Sequence, residues 1–405
     1  MRSLNQLDSQ LALDDGTPVR EAPFPARMLY GAEEKAAVAA VMDRAAEDGQ
    51  PGYGGEQEEA YCEAFFRFQG GGFADGVNSG TNAVYVALPA LELPEGSEVV
   101  VPPFSDPGGV MPVALCGLVP RAADCEPNLF NTDASQIEAA LTDRTSAILV
   151  AHIAGLPVHM GPILELASSR GLRVIEDCAQ AHGATYRGRR VGTLGDIAAF
   201  STMGGKHHST GGQGGVLYSR HEDLIRKARR YADRGKPIGL DGETQNVVAS
   251  LNCNMDELHA AIGCAQLKKL PSIIERRRRL ALDLARRIET ECRSVRLVTE
   301  PPGVESVFWF LFVGFDPEQL AADRTRFAAA LQAEGIPAAT YWHAPVLMKW
   351  MATTPMTRDL YPPQLPNTHR SDATHIRIVF HEDWTEREID DVVAAVRKVE
   401  RAWAV

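Results

Sequence analysis

The sequence predicts an α/β fold: a large domain with a mostly parallel sheet covered by helices, then a smaller C-terminal α+β domain. Short apolar runs alternate with helical patterns through the middle of the chain, which is typical of parallel sheets with helices on both faces. Val99–Val101 and Ile148–Val150 are continuously apolar, as expected for strands buried on both faces. Near residue 254 the order changes, because a long helical pattern then precedes further strands.

The predicted strands of the large domain lie between residues 98 and 218. Helical patterns separate several of them, at Ser135–Leu141 and Gly161–Arg170. Ligands of open α/β sheets bind at the carboxyl ends of the strands, so residues just after these runs are candidates for a site. The strand candidates are Glu98–Phe104, Leu118–Asp124, Ala147–Ile153, Leu172–Glu176, Ile197–Phe200 and Gly215–Tyr218.

A long helix is predicted to open the second domain. Apolar residues recur at helical spacing from Met255, and the pattern, interrupted by Pro271, runs to about Cys292. For its charged run, Glu275–Arg279, we favour a solvated helix face over a phosphate-binding role.

The rest of the second domain mixes strands with helices. The final helix begins with Thr385, and Glu388 follows three residues later, as in a capping box. We therefore predict domains at residues 1–260 and 261–405, with the first 25 or so residues as an arm. Before the final helix, the predicted elements are β-like Val307–Phe315, the helix Thr325–Glu334 and the strand His375–Phe380.

Composition excludes several classes of protein. The 405 residues include 41 Lys+Arg and 53 Asp+Glu, a net charge of −12, which disfavours nucleic-acid binding because that needs many phosphate contacts. Because Met1–Arg20 is polar and no run approaches about 20 apolar residues, we expect neither a signal peptide nor a membrane helix. The 7 cysteines form no CxxC pair, so we expect free thiols in a reducing cytoplasm. Cys253 and Cys264 lack partners at zinc spacing, so we expect no metal site.

The first candidate site segment is Asn78–Ala83, which leads into a helical pattern. Small residues at a helix start leave backbone N–H groups open to an anion, and the helix dipole favours negative charge there. Taken alone, this Ser-Gly-Thr run is also typical of a plain turn with a helix N-cap.

The second segment, Val174–Ala184, places Asp177 at the end of a buried strand. Asp177 is able to pair with a cationic group, and Gln180 to donate a side-chain hydrogen bond nearby. The alternative for this segment is a helix N-cap acid after a strand.

The third segment places Lys206 between a strand and the glycine-rich run Gly211–Gly215. Lysine is the side chain whose amine forms Schiff bases once its pKa is lowered. A lysine is normally a solvated surface group, so the argument depends on this setting. His207 and His208 adjoin it, either lining the same pocket or simply packed or exposed.

The fourth segment runs from Asn252 to Leu258 and opens the long helix. Without the other segments, Asn252 is interpreted as a helix cap.

Together and in this order, the four segments closely resemble the DegT/StrS family of sugar aminotransferases, over roughly residues 25 to 400. These are fold-type I enzymes that use pyridoxal 5′-phosphate (PLP). The most specific matches are the acid-Asp-x-Ala-Gln segment at 176–180 and the spacing from Phe200-Ser201 to Lys206 to the double glycine. The resemblance implies an enzyme that moves an amino group from glutamate or glutamine to a ketone, passing through pyridoxamine 5′-phosphate.

The resemblance also implies residue roles, and a homodimer with its active sites at the subunit interface. Lys206 would hold PLP as a Schiff base and move protons, and Asp177 would pair with the ring nitrogen, keeping it charged. Gln180 would approach the 3-oxygen of the ring, and Ala179 would pack on one ring face. Gly80, Thr81 and Ser201 would bind the phosphate, while Asn252 would reach the phosphate of the neighbouring subunit's PLP.

Three departures from the family pattern bear on the substrate. Asp106 stands where relatives have a ring-stacking aromatic residue, so it contacts the substrate or caps the next helix. Asn254 stands where relatives carry an arginine that helps bind a nucleotide diphosphate. This favours a free keto sugar, a keto-cyclitol or a small antibiotic precursor over a nucleotide-linked ketone. Tyr341–His343 either faces the substrate or fills the domain interface.

The main hypothesis is a PLP-dependent aminotransferase that acts on a polyhydroxylated ketone in aminosugar or antibiotic biosynthesis. A PLP-dependent dehydratase is an alternative, although relatives that remove a 3-hydroxyl have histidine in place of Lys206. A non-catalytic PLP-binding regulator would not need Lys206. A nicotinamide enzyme is disfavoured, because no G-x-G-x-x-G precedes a helix.

Overall fold

A computed structural model describes residues 10–49, 52–340 and 344–405, and its centre is a seven-stranded sheet of order β1-β9-β8-β5-β4-β2-β3. β8, β5, β4, β2 and β3 are mutually parallel, whereas β9 runs antiparallel to both β8 and β1. These strands are β1 Phe73–Val77, β2 Glu98–Val101, β3 Val119–Ala122, β4 Thr145–Ala151, β5 Arg173–Asp177, β6 Thr185–Tyr186, β7 Arg189–Arg190, β8 Ile197–Ser201 and β9 Gly215–Ser219, of which β6 and β7 lie outside the large sheet.

Helices cover both faces of this sheet, as the continuously apolar strands require. The helices of the chain are α1 Ala32–Asp48, α2 Glu56–Gln69, α3 Gly80–Ala90, α4 Pro107–Leu115, α5 Ala134–Ala140, α6 Met160–Arg170, α7 Glu222–Ala232, α8 Glu257–Glu291, α9 Arg324–Ala333, α10 Lys349–Thr353, α11 Pro366–Thr374 and α12 Glu386–Trp403. The side chains of α3, α4 and α7 form one apolar layer, and those of α5 and α6 pack in another. The α/β prediction is confirmed.

A second sheet of four strands, in the order β10-β12-β14-β13, has its own core. The last part of α8 packs in that core together with α9 and α12. The apolar face of α12 is buried, and the predicted capping box of Thr385 and Glu388 is present. The remaining strands are β10 Val295–Leu297, β11 Val304–Glu305, β12 Leu311–Phe315, β13 Ala338–Ala339 and β14 His375–Ile378.

Helix α8 corrects two expectations from the sequence. The predicted interruption at Pro271 is wrong, since the helix is continuous through it. Pro271 is exposed, so its ring lies on the solvent side of the helix and not in the packed core. The solvated face predicted for 275–279 is wrong for Arg277, whose side chain is 2% exposed and forms an ion pair with Glu382.

The same helix passes through position 260, where the sequence predicts a domain boundary. Its first part contributes Ala260 and Leu270 to the core beneath the large sheet, and its last part contributes Leu284 and Ile288 to the second core. The division at residue 260 stays a prediction. None of the helices in the described part of the chain is long and apolar enough to cross a membrane.

The sequence-based prediction does not include β1 or the helices α1 and α2 that precede it. β1 contains Asp75 and Gly76, residue types that are depleted in strands, so its propensity is low. It forms because it pairs with β9, which is distant in sequence. The β-like run at 307–315 is a strand only from Leu311 onward.

Candidate active site

The N-terminus of α3 lies against the end of β8. Ser79 caps the helix, its hydroxyl accepting a hydrogen bond from the Asn82 amide at 3.1 Å. A Cβ at Gly80 would lie 2.6 Å from the Ser201 Cβ, so only glycine permits this approach. The amides of Gly80 and Thr81 precede the intrahelical ladder and are available to an anion, with the Ser201 hydroxyl beside them.

The N-terminus of α4 approaches the same place. Asp106 caps α4, with its Oδ1 accepting from the Gly108 amide at 2.9 Å. A Cβ on Gly108 would lie 2.1 Å from the Thr81 hydroxyl, so the starts of α3 and α4 are in close contact. The capping role considered for Asp106 is therefore present, and the residue is exposed beside Thr81.

Asp177 is the last residue of β5, in the middle of the large sheet, and its side chain is buried. Its Oδ1 accepts from the Ala179 amide at 3.0 Å and its Oδ2 from the Ser105 hydroxyl at 3.2 Å. Burial raises the pKa of Asp177, although the Ala179 amide, Lys206 and Ser105 all act to lower it. A cationic ligand group would relieve this penalty by favouring the ionised carboxylate.

Gln180 is fixed by a main-chain donor. Its Oε1 accepts from the Ala154 amide at 2.7 Å, in a turn where Ala154 has the left-handed φ of 57°. Because that contact requires the amide oxygen, the orientation of the side chain is determined and its NH₂ group points away from Ala154. No hydrogen bond of that NH₂ group to another described residue is present, so it is left to a ligand.

Lys206 is buried, 5% exposed, without a salt bridge to any of the described residues. Its Nζ lies 3.6 Å from the centroid of the Trp309 ring. Burial lowers the pKa of Lys206 to about 8, against the opposing charges of Asp177 and Asp106. The amine is therefore partly unprotonated near neutral pH, as a nucleophilic amine requires.

Three buried histidines surround the lysine segment. His182 Nε2 donates to the Ser201 carbonyl at 2.7 Å, and His207 Nε2 donates to that of Val307 at 2.9 Å. His208 Nε2 lies 2.6 Å from the Tyr61 hydroxyl. Burial lowers the pKa of His182 to about 4 and those of His207 and His208 well below the ordinary value. His207 and His208 are thus packed, neutral residues.

Asn252 does not cap α8, so that alternative is wrong. Asp256 is the cap, accepting from the His259 amide at 2.9 Å. The Asn252 side chain is exposed, and its Oδ1 accepts from the Asn254 side chain at 2.8 Å. Asn254 in turn lines a cavity of about 400 Å³ together with Tyr53, Arg229 and Lys236. Tyr341–His343 lies outside the described residues.

One group of potential metal ligands is present among the described residues: His152, Glu176 and Cys178, all buried. His152 Nδ1 accepts from the Val158 amide at 3.1 Å, so its Nε2 carries the proton and donates to Glu176, also at 3.1 Å. Glu176 further accepts from the amides of Gly192, Leu194 and Gly195. The lone pairs of His152 Nδ1 and of the Glu176 carboxylate are thus used in hydrogen bonds within the protein, so we interpret the group as structural and not as a metal site.

Sequence reasoning missed three residues of this site: Ser105, Trp309 and Arg27. Ser105 contacts Asp177, Trp309 contacts Lys206, and Arg27 Nη1 donates to the Lys206 carbonyl at 2.8 Å. Ser105 adjoins Phe104 and Asp106 of a family segment, so it had a signal. Trp309 and Arg27 had none, because each is more than 100 residues away from Lys206 along the chain.

The donor set fits PLP. The starts of α3 and α4 and the Ser201 hydroxyl offer donors to a phosphate, with the glycine at position 80 leaving no Cβ in the way. A buried carboxylate, an oriented amide and a buried amine are present for the ring nitrogen, the 3-oxygen and the aldehyde carbon of PLP. Among these residues, Asp177, Gln180 and Lys206 each keep hydrogen-bonding or covalent capacity that the protein itself does not use.

Comparisons with known proteins agree with this arrangement. The model of the DegT/DnrJ/EryC1/StrS aminotransferase family matches residues 31–397. The chain is 33% identical over 340 residues to a GDP-perosamine synthase of Caulobacter vibrioides, covering 83% of this chain and 88% of that one. It is 32% identical to an L-glutamine:scyllo-inosose aminotransferase of Streptomyces griseus over 356 residues, 84% and 82% of the two chains.

A solved aminotransferase from Psychrobacter cryohalolentis superposes with a TM-score of 0.83 at 29% identity, covering 92% of this chain and 98% of that chain. The family match therefore extends over both sheets and over the site segments from Asn78 to Asn254. The chain belongs to the DegT/DnrJ/EryC1/StrS aminotransferase family and is an aminotransferase.

Proposed function

We propose that the chain uses PLP to transfer an amino group from glutamate or glutamine to a free polyhydroxylated ketone, a keto sugar or keto-cyclitol. The observation that carries the PLP part is the buried Lys206 amine, whose pKa is lowered to about 8 and which has no salt bridge to another described residue. A buried amine in this state is poised to attack a carbonyl carbon.

Each residue of the site would have a separate role. Gly80, Thr81 and Ser201 would hold the phosphate, and Asp177 would pair with the ring nitrogen and keep it charged. Gln180 would donate to the 3-oxygen. When bound, PLP supplies an electron sink for negative charge that develops on the substrate carbon. Lys206 would bind PLP covalently and, once the substrate amine displaces it, carry a proton on Nζ to and from that carbon.

The substrate class is inferred from Asn254. A short amide at this position cannot form the paired, charged hydrogen bonds that an arginine makes to a diphosphate. Among relatives, the names include both a nucleotide-linked product, GDP-perosamine, and a free cyclitol, scyllo-inosose. Asn254 favours the second kind for this chain.

The PLP part is tested by adding PLP to the purified protein and reducing the product with borohydride. We expect a visible absorption band and, after reduction and digestion, PLP fixed to the peptide that contains Lys206. Lys206→Ala should lose both the fixation and turnover, whereas Lys227→Ala, at a half-buried lysine paired with Glu92, should keep both. A colourless protein that binds no PLP, or turnover by Lys206→Ala, would contradict the proposal.

The substrate part is tested by mixing the pyridoxamine-phosphate form with matched ketones, free and nucleotide-linked. We expect faster consumption with the free keto sugars or keto-cyclitols. Asn254→Arg should shift the preference towards the nucleotide-linked ketone. A wild-type preference for the nucleotide-linked compound would refute the interpretation of Asn254. Running the first half-reaction with glutamate and then glutamine identifies the donor.

We also propose a homodimer in the cytoplasm, in which Asn252 contacts the PLP phosphate of the second copy. The exposed Asn252 side chain adjoins Leu251, which is 57% exposed, and the 7 cysteines are unpaired. Heterodimers of Lys206→Ala with Asn252→Asp chains test the first part. If Asn252 acts across the interface, one site of each heterodimer is intact and about half of the wild-type activity per dimer should return. If it acts within its own chain, activity per dimer should stay near the mean of the two mutant homodimers.

A further inference from the structure

Trp309 packs directly on the amine of Lys206. The ring centroid lies 3.6 Å from Nζ, and the indole Nε1 donates to the Gly205 carbonyl at 2.9 Å. The indole thus contacts both the side chain of Lys206 and the backbone that precedes it. A lysine amine on a four-carbon stem is flexible, so a flat ring at this distance restricts where the amine points.

The backbone that carries Trp309 is held in an unusual conformation. Phe308 has a left-handed φ of 46°, which is unfavourable for a bulky residue and persists only where the surroundings require it. Here the Phe308 amide donates to the Ser306 hydroxyl at 3.1 Å, and the Trp309 amide donates to the Ala154 carbonyl at 2.7 Å. The same turn at Ala154 fixes Gln180.

Buried ion pairs connect the backbone of Phe308 and Trp309 to the backbone of Lys206. Arg277 donates to the carbonyls of Phe308 and Trp309, at 2.9 and 3.1 Å, and to Glu382 at 2.8 Å. The other oxygen of Glu382 accepts from Arg27 at 2.9 Å, and Arg27 donates to the Lys206 carbonyl. One carboxylate therefore connects two arginines, one on each side of the contact between Lys206 and Trp309.

We propose that Trp309 is a positioning residue, which orients the Lys206 amine for covalent capture of PLP. Trp309 acts on the lysine side chain and not on the PLP ring, and it does so from the segment that leads into the second sheet. The proposal rests on the proposed function, because it needs Lys206 to be the residue that binds PLP.

The test compares capture with simple binding. Capture is the rate at which visible absorbance grows when PLP is added to the apoprotein in stopped flow. Noncovalent binding is the PLP dissociation constant in a Lys206→Ala background, measured by equilibrium dialysis. We expect Trp309→Leu to slow capture about tenfold, on the scale of a cation–π contact, and to change the dissociation constant less than twofold in the Lys206→Ala background.

Trp309→Phe keeps an aromatic face and should restore capture to within about threefold of the wild type. Trp384→Phe is the matched control: Trp384 is buried in the second core, its ring packs on Phe24 and Phe380, and capture should not change. Melting temperatures of all variants separate loss of folding from slower capture, and Trp309→Phe remains informative if Trp309→Leu unfolds.

Two results would overturn the proposal. One is a capture rate that does not depend on the aromatic ring. Folded Trp309→Leu would then capture PLP at the wild-type rate, or Trp309→Phe would capture it as slowly as Trp309→Leu does. The other is a dissociation constant that weakens in the Lys206→Ala background as much as capture slows, because Trp309 would then act on PLP directly. Failure of wild-type protein to capture PLP would instead contradict the proposed function.

Discussion

Glu176 and Asp177 are consecutive carboxylates at the end of β5, both buried, with opposite electrostatics. Burial alone would raise the pKa of Glu176, but His152 and the amides of Gly195 and Gly192 bring it below its ordinary value. Burial raises the pKa of Asp177, because the Ala179 amide, Lys206 and Ser105 do not compensate for it. Hydrogen bonds within the protein therefore stabilise the ionised form of Glu176. The ionised form of Asp177 keeps a desolvation penalty that a cationic ligand would remove.

The difference arises from the strand itself. Successive side chains of a β-strand point to opposite faces of the sheet, so Glu176 and Asp177 enter different surroundings. Glu176 accepts hydrogen bonds from the backbone amides of the loop at 192–195. Asp177 lies near the start of α4 and near Lys206. A buried acid with few partners is a candidate for function, and a fully hydrogen-bonded one is structural.

The largest expected effect is on activity, from Asp177→Asn. The amide is the same size but cannot keep the ring nitrogen of PLP charged, so kcat should fall about 10²–10³-fold, the scale of losing one electrostatic group at a reacting centre. Steady-state kinetics with saturating PLP measure it. Asp133→Asn is the control, because Asp133 caps α5 and asparagine caps a helix as well as aspartate does. Activity within threefold of the wild type would refute the role of Asp177.

Glu176→Gln should act on stability instead. One oxygen is replaced by an NH₂ group that faces backbone N–H donors, so the free energy of unfolding should drop by about 1–3 kcal/mol. Denaturant titration measures it, and activity of the remaining folded protein should be close to normal. Glu63→Gln, on the exposed part of α2, should lose less than about 0.5 kcal/mol. If Glu176→Gln reduced kcat as strongly as Asp177→Asn, the contrast between the two would be wrong.

Removing the charge of Asp177 should stabilise the chain when its positive neighbour is absent. In a Lys206→Ala background without PLP, Asp177→Asn should increase the free energy of unfolding by on the order of 1 kcal/mol near pH 8. Since the folded pKa of Asp177 is raised, the folded state of the parent binds more protons than its unfolded state above pH 3.8. The parent therefore gains stability as pH falls, and the gap should narrow towards pH 4.

Urea titrations from pH 4 to 8 measure that gap. A gap that widens as pH falls, or a less stable Asn variant, would show that Asp177 is not under a burial penalty.

The smallest expected effect is that of Ser105→Ala. Asp177 would lose one donor, at 3.2 Å, and kcat/KM should fall roughly fivefold, the equivalent of about 1 kcal/mol. Ser97→Ala is a matched control, because the Ser97 hydroxyl is buried and has no hydrogen-bond partner among the described residues. Equal losses in the two variants would mean that the contact between Ser105 and Asp177 contributes nothing specific.

Much of the fold was predictable because its signals are local. Strands β2 and β4 contain continuously apolar stretches, and the sequence locates six of the seven strands of the large sheet within a few residues. The capping box at Thr385 depends on two side chains three residues apart, and it is present. β1 was missed because its own residues are poor strand formers, and pairing with a distant strand decides its conformation.

From the sequence alone follow six strands of the large sheet, the family resemblance, and the local segments that carry Gly80, Asp177, Gln180 and Lys206. In each of those segments the functional residue lies within a few residues of a strand end or a helix start, so the spacing along the chain predicts where the residue lies. The structure was needed to show that hydrogen bonds compensate for the burial of Glu176 but not of Asp177, that Arg277 is buried, and that Trp309 contacts Lys206. Those properties depend on burial and on partners far away along the chain, and neither is encoded in local sequence.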